Sequence, residues 1–178
     1  MSVAELLRSR ITDVADFPTE GVLFKDISPL LADHEAFAAA VDALVATHEH
    51  SRIDRVVGIE ARGFVLAAPA AYHLQAGFVP VRKPGKLPGP THETSYDLEY
   101  GSNVLQVHRD AFAPGDRVLV VDDVLATGGT AAAAVRLVQE AGASVVGVAV
   151  LLELSSLGGR DLLEGAHPDV PVHALLTY

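Results

Sequence analysis

The 178-residue sequence has no cysteine, no tryptophan and a single methionine. Without cysteine there is neither a disulfide framework nor a thiolate metal site. Aromatic residues supply only 6% of a chain that is 49% hydrophobic, so its core is packed with Val, Leu and Ala rather than with large rings. Positive charge is also scarce: 13 Lys and Arg stand against 23 Asp and Glu, a formal net charge of -10. A nucleic-acid surface needs clustered cations to neutralise phosphates, and this balance argues against one. Any anionic ligand has to be held locally. No apolar run approaches the roughly 20 residues that span a bilayer, which argues against a membrane partner. The opening MSVAELLRSRI carries charges early and reads as a short amphipathic helix, without the apolar centre of a signal peptide. The length suits one domain, 1–178, and these absences together point to a cytoplasmic enzyme.

What the chain does contain is concentrated in RVLVVDDVLATGGTAAAAVRLVQEAG, from Arg117 to Gly142. Val118 to Val121 is apolar and mostly β-branched, the pattern of a strand buried on both faces of a parallel sheet. Asp122 and Asp123 follow where such a strand ends, and open α/β sheets bind ligands outside the carboxyl ends of their strands. Ala126, Thr127, Gly128, Gly129 and Thr130 are small, and their N–H groups can converge on an anion at the start of a helix from about Ala131 to Ala141. Taken singly, Thr127 or Thr130 is an ordinary N-cap and the glycines an ordinary turn. No Lys follows the glycines as in a Walker A loop, and there is no G-x-G-x-x-G. The strand, acidic pair and T-G-x-T loop together resemble the phosphoribosyl-pyrophosphate (PRPP) signature of type I phosphoribosyltransferases. That resemblance implies that the loop and its Thr hydroxyls hold the ribose 5-phosphate, while Asp122 and Asp123 face the ribose hydroxyls and the metal-bound substrate.

Residues 1–10 read as helical and Thr12 to Pro29 as an irregular connector broken by Pro18 and Gly21. Asp33 is a candidate N-cap for a helix reaching about His50, whose His48 and His50 read as solvated residues at its end. Val56 to Ile59 is a second buried strand, followed by Glu60-Ala61-Arg62-Gly63 and an apolar helix to about Ala76. Arg62, at a strand's carboxyl end beside a helix start, is a candidate anion ligand. Phe78 to Arg82 is the next strand. Lys83 to Gly101 holds three prolines and three glycines and reads as a long loop ending in a short strand near Tyr96 to Tyr100. Arg82, Lys83 and Lys86 at its start suit a cap over a polyanion, but composition alone leaves a solvated hairpin tip equally open. Further strands are expected at Asn103–Arg109, Val145–Leu152 and Val172–Leu176.

Several of these runs resemble the adenine phosphoribosyltransferases: F-P-x-x-G-V-x-F-K-D-I-S-P-L, G-I-E-A-R-G-F, R-K-x-G-K-L-P-G, S-Y-x-L-E-Y-G and L-E-L-x-x-L-G-G-R. The resemblance implies an α/β type I phosphoribosyltransferase fold: a central, mostly parallel sheet flanked by helices, a small hood from 12–30 with 153–164, and a flexible catalytic loop at about 83–99. It implies that Phe24 and Lys25 offer backbone groups to adenine. Arg62 and Leu154 also border the base, while Glu60, Ala61, Arg62, Gly63, Arg82, Lys83 and Lys86 serve pyrophosphate. In related oxopurine enzymes an Asp precedes the T-G of the loop. Ala126 stands there instead, which hands the role of base to Glu99, the match of the catalytic glutamate in adenine enzymes. No residue is expected to ligate a metal directly: Mg2+ is expected with PRPP, and a homodimer is what the family implies. Another purine substrate such as xanthine, or a PRPP-sensing regulator on the same fold, remains the alternative.

Overall fold

The computed structural model describes residues 1–48, 50–97 and 102–178. Helix α1 (Val3–Ser9) opens on a capping box: Ser2 Oγ accepts from the Glu5 N–H, and the Glu5 carboxylate accepts from the Ser2 N–H. The segment expected to be irregular forms an antiparallel hairpin of β1 (Thr12–Ala15) and β2 (Leu23–Asp26). Its breakers sit in the connecting loop, where Asp16 accepts from the Gly21 N–H at 2.7 Å. Helix α2 (Ser28–Ala32) leads to α3 (His34–Ala46), capped by the Asp33 carboxylate on the Ala36 N–H as expected.

The core follows as β3 (Arg55–Ile59), α4 (Gly63–His73), β4 (Gly77–Val81), a hairpin of β5 (Thr91–Asp97) and β6 (Ser102–His108), then β7 (Arg117–Leu125), α5 (Gly129–Glu140), β8 (Ser144–Glu153), α6 (Gly159–Ala166) and β9 (Val172–Thr177). Five described strands form a wholly parallel sheet in the order β4-β3-β7-β8-β9. Both faces are covered. Val118 and Val120 of β7 join α5 and the hairpin on one side, while Leu119 and Val121 join α1, α3 and α4 on the other. This double burial explains why the strand is a continuous apolar run rather than an alternating one.

The crossover from β3 lies on one face and that from β7 on the other, so the crevice between their carboxyl ends is the topological switch point. The strand β7 also runs further than Val121. Its ladder with β3 stops at Val121 opposite Gly58, but its ladder with β8 continues to Leu125 opposite Glu153. Asp122 and Asp123 therefore lie within a strand that is paired on one side only.

Two other expectations change. Much of the segment read as a loop, from Thr91 onward, is paired strand, joined to the end of β4 by reciprocal hydrogen bonds between Arg82 and Gln106. His48 is not solvated: it is 4% exposed, stacked edge-on against His173 at 5.1 Å, and its Nε2 has no hydrogen-bond partner among the described residues. Gly147 makes room for it, since a Cβ there would lie 2.6 Å from the His48 ring. Burial, aided by neighbouring His173, pushes the His48 pKa down to about 4, so the ring is neutral rather than a cation at a helix end.

Candidate active site

A cleft of about 420 Å3 opens at the switch point, and the loop after β3, β7 with its following loop, and the hairpin line it. Glu60, Ala61 and Arg62 form one wall, and Asp122, Asp123, Ala126, Thr127, Gly128 and Thr130 the other. The Glu60–Ala61 peptide is cis. Arg62 Nε lies 2.8 Å from Asp123 Oδ2, so the two walls meet through an ion pair. Asp122 Oδ1 accepts from the Asp123 N–H at 2.9 Å. Gly63 packs behind the pair, where a Cβ would approach Asp122 Oδ1 to 2.7 Å. Burial first, and the charge of Asp123 second, pushes the Asp122 pKa well above the carboxylate range. Asp123 is also raised by burial, against the opposing pull of Arg62. Two adjacent acids that resist ionisation are costly without a ligand to use them.

The loop from Ala126 to Thr130 is held by backbone contact. Gly128 has φ +84, and a Cβ on it would collide with the carbonyl of Gly159 at the start of α6; a Cβ on Gly159 would in turn overlap the Ala126 carbonyl. The two glycine-bearing segments touch main chain to main chain, which only residues without side chains allow. Gly128 is the N-cap of α5 and no side chain caps that helix. Neither Thr127 nor Thr130 is thus consumed as an ordinary cap, leaving α5 N–H groups and two hydroxyls at the cleft, a cradle for an anion.

A second pocket, of about 260 Å3, adjoins the first and is mostly apolar. Val22, Leu23, Phe24 and Lys25 of the first hairpin close it from one side, with Leu152, Leu154 and Leu157 opposite. Arg62, Asp123, Val124 and Ala126 line both spaces. The Arg62 guanidinium lies 5.1 Å from the Phe24 ring centroid, completing a planar, partly aromatic wall. Lys25 turns its side chain elsewhere, to Asp13 at 2.7 Å and over the Tyr178 ring. Its backbone is what it offers the pocket.

Not every expected residue reaches the cleft. Lys83 lines it. Arg82 instead faces Glu60, with Nε 3.3 Å from Oε2, and the same oxygen accepts from the Lys83 N–H at 2.9 Å. That backbone bond, more than Arg82, holds the Glu60 pKa below the usual carboxylate range. Lys86 is exposed. Glu99 lies outside the described residues. Sequence reasoning missed Tyr96 and Asn103, which line the cleft from the hairpin; the two-residue alternation that places Thr94 and Tyr96 on one face was the available signal. It also missed that buried Glu153 and Arg160 pair at 2.6 Å, with Arg160 Nη1 donating to the Val172 carbonyl. Among the described residues no three or more His, Asp or Glu side chains group as a metal cage.

This arrangement has relatives. The family model of the phosphoribosyl transferase domain matches residues 30–163, and the chain belongs to that family. A curated protein of Acidothermus cellulolyticus named adenine phosphoribosyltransferase is 63% identical over 161 residues, covering 90% of this chain and 91% of the relative. The crystal structure of adenine phosphoribosyltransferase from Rhodothermus marinus superposes with a TM-score of 0.93 at 51% identity, over 99% of this chain and 98% of that one. The Saccharomyces cerevisiae adenine phosphoribosyltransferase, complexed with an imino-altritol bisphosphate and adenine, gives 0.90 at 38% identity, over 97% and 98%. Within its family the chain therefore belongs to the adenine phosphoribosyltransferases.

Proposed function

We propose that the chain transfers the 5-phosphoribosyl group of PRPP to adenine, giving AMP and pyrophosphate. The observation that carries this reading is the apolar pocket opening through Arg62, Asp123, Val124 and Ala126 into the anion cleft, so that a flat base and a sugar phosphate meet at one wall. The bond from the anomeric carbon to diphosphate breaks with its electron pair on the leaving oxygen, and a bond from adenine N9 to that carbon forms. Positive charge grows on the sugar, and Asp122 and Asp123 face it from β7. The α5 cradle holds the 5-phosphate, while Glu60 to Arg62 with Lys83 receive the diphosphate. Phe24 and Lys25 present fixed backbone donors and acceptors to the adenine edge, and Leu154 closes over the ring.

Ala126 supplies no carboxylate beside the base, which favours adenine over an oxopurine. Glu99 takes the proton that the imidazole ring loses. Asp122 and Asp123, with Glu60 on the facing wall, fit Mg2+ arriving on PRPP, since this ion keeps waters and binds through one or two carboxylates plus phosphates. When bound it neutralises the departing diphosphate. Lys86 stands outside the cleft, and Val65, Tyr72 and Phe78 expose apolar surface around α4 and β4; a cytoplasmic homodimer covers these groups and brings a second set of basic side chains to the site. The alternatives, xanthine transfer and PRPP sensing, have no comparable support.

The purified protein with PRPP and Mg2+ is offered adenine, hypoxanthine, guanine or xanthine in turn. Nucleotide forms with adenine alone, and Glu99→Gln lowers kcat by about 100-fold or more while PRPP still binds. Near-normal turnover by that variant removes Glu99 from the reaction, and equal use of xanthine removes the adenine assignment.

A further inference from the structure

The Tyr96 hydroxyl lies 3.0 Å from Thr130 Oγ1, and Asn103 Nδ2 donates to Tyr96 Oη at 3.4 Å. All three side chains line the anion cleft. Tyr96 and Asn103 face each other across the β5–β6 pair, whereas Thr130 stands in the first turn of α5. Proton bookkeeping leaves this chain of groups able to run in one direction. An amide nitrogen only donates, so the Tyr96 oxygen is its acceptor. Either hydroxyl can donate in the Tyr96–Thr130 bond; in the arrangement where the phenolic proton is the one shared, the Thr130 oxygen accepts it. Thr130 Oγ1 has no other partner among the described residues, so in that arrangement its own proton is left to point into the cleft. A freely rotating hydroxyl has to be oriented by the anion at an entropic cost that a hydroxyl already aimed avoids.

We propose that Asn103 and Tyr96 form a one-way hydrogen-bond relay that aims the Thr130 proton at the phosphate in the cradle, making Tyr96 a positioning residue for the sugar phosphate. The proposal rests on the phosphoribosyl-transfer reading above. Such chains polarise each link in turn, so the outermost donor is strengthened as well as aimed. The relay has a fixed foundation. Thr94 Oγ1 donates to Glu140 Oε2 at 3.3 Å, Arg136 Nε donates to Thr94 Oγ1 at 3.1 Å, and Arg136 Nη2 donates to the Ser95 carbonyl. These contacts staple β5 along α5, so Tyr96 keeps its place relative to Thr130 without relying on a ligand.

The relay touches the phosphate alone, which makes its loss selective. Tyr96→Phe keeps the ring and removes the relay's proton. The expected result is a KM for PRPP and a Kd for ribose 5-phosphate each raised about 2- to 10-fold, as for one neutral hydrogen bond, with kcat and the KM for adenine unchanged. Asn103→Ala shifts both constants the same way by less, and it keeps the test decisive if the Phe variant does not fold. In a Thr130→Ala background, Tyr96→Phe has no further effect, because the aimed group is gone. Unchanged affinity for ribose 5-phosphate, an equal loss of adenine affinity, or full additivity in that background overturns the relay. Wild-type turnover of adenine and PRPP is read first: its absence strikes the functional reading, whereas normal turnover with an indifferent Tyr96→Phe strikes the relay alone.

Discussion

Asp122 and Asp123 illustrate how a side chain can be kept against its own stability. Each is pushed upward in pKa by burial, and Arg62 lies against Asp123 at 2.8 Å. A carboxylate whose folded pKa exceeds its unfolded one stabilises the fold below the unfolded pKa, and that contribution is lost as pH rises through the folded value. Near neutral pH the free protein therefore carries Asp122 at a cost. Replacing Asp122 by Asn keeps the oxygen that accepts from the Asp123 N–H and removes the charge. We expect Asp122→Asn to melt about 2–4 °C higher at pH 7.5, the shift for roughly 1 kcal/mol in a chain of this size, while kcat/KM for PRPP falls by about 10-fold or more. The gain in melting temperature shrinks on acidification, as the wild-type carboxyl takes up its proton. A variant that melts lower, or that turns over PRPP normally, contradicts this account. His48 has the opposite sign: its neutral ring stabilises the fold above the ordinary imidazole range, and the contribution is lost as pH falls toward about 4.

Among elements, the contact between the cradle and the start of α6 carries the most consequence. Gly128 and Gly159 meet through main chain, so the Ala126–Thr130 loop and the start of α6 share one joint. Gly159→Ala inserts a methyl where the Ala126 carbonyl lies. It is expected to lower stability by about 1–3 kcal/mol in denaturant melts, as overpacking does, and to raise the KM for PRPP more than that for adenine; an unchanged melt and an unchanged KM for PRPP refute the joint. Such a joint was not legible beforehand, because G-G before Arg160 looks like any turn until the loop it touches is known. β3, β7 and β8 were legible, since strands buried on both faces read as unbroken apolar runs. The β1–β2 hairpin was not, as its strands are four residues long and none of their residues is fully buried, leaving no alternation to read. Nor was His48: its surroundings come from Gly147 and His173, far away in sequence. The acidic pair, the cradle and Arg62 could be named in advance because each sits at a strand end or helix start, whereas Phe24, Lys25 and Leu154 were named only through the resemblance. Tyr96 and Asn103 depended on how a hairpin folds back over α5.

At the scale of the whole molecule, the cleft and its adjoining pocket join segments that no single element holds together: the β1–β2 hairpin, the loops after β3 and β7, the β5–β6 hairpin and the segment after β8. A ligand filling both pockets ties them to the sheet. AMP at about 100 times its Kd adds about 2.7 kcal/mol, a rise of roughly 5–10 °C in melting temperature. With no metal cage among the described residues, EDTA is expected to leave that rise intact while abolishing turnover of PRPP; loss of the AMP-induced shift on chelation would point instead to a resident ion. The one-sided pairing of β7 bears on how the cleft fills. From Asp122 to Leu125 the strand is fastened to β8 and free of β3, so the acids are immobilised while the cleft beside them stays open. Substrate can arrive and product depart without any ladder bond being broken. The entropy of ordering the acidic pair is settled when the chain folds, rather than again at each turnover.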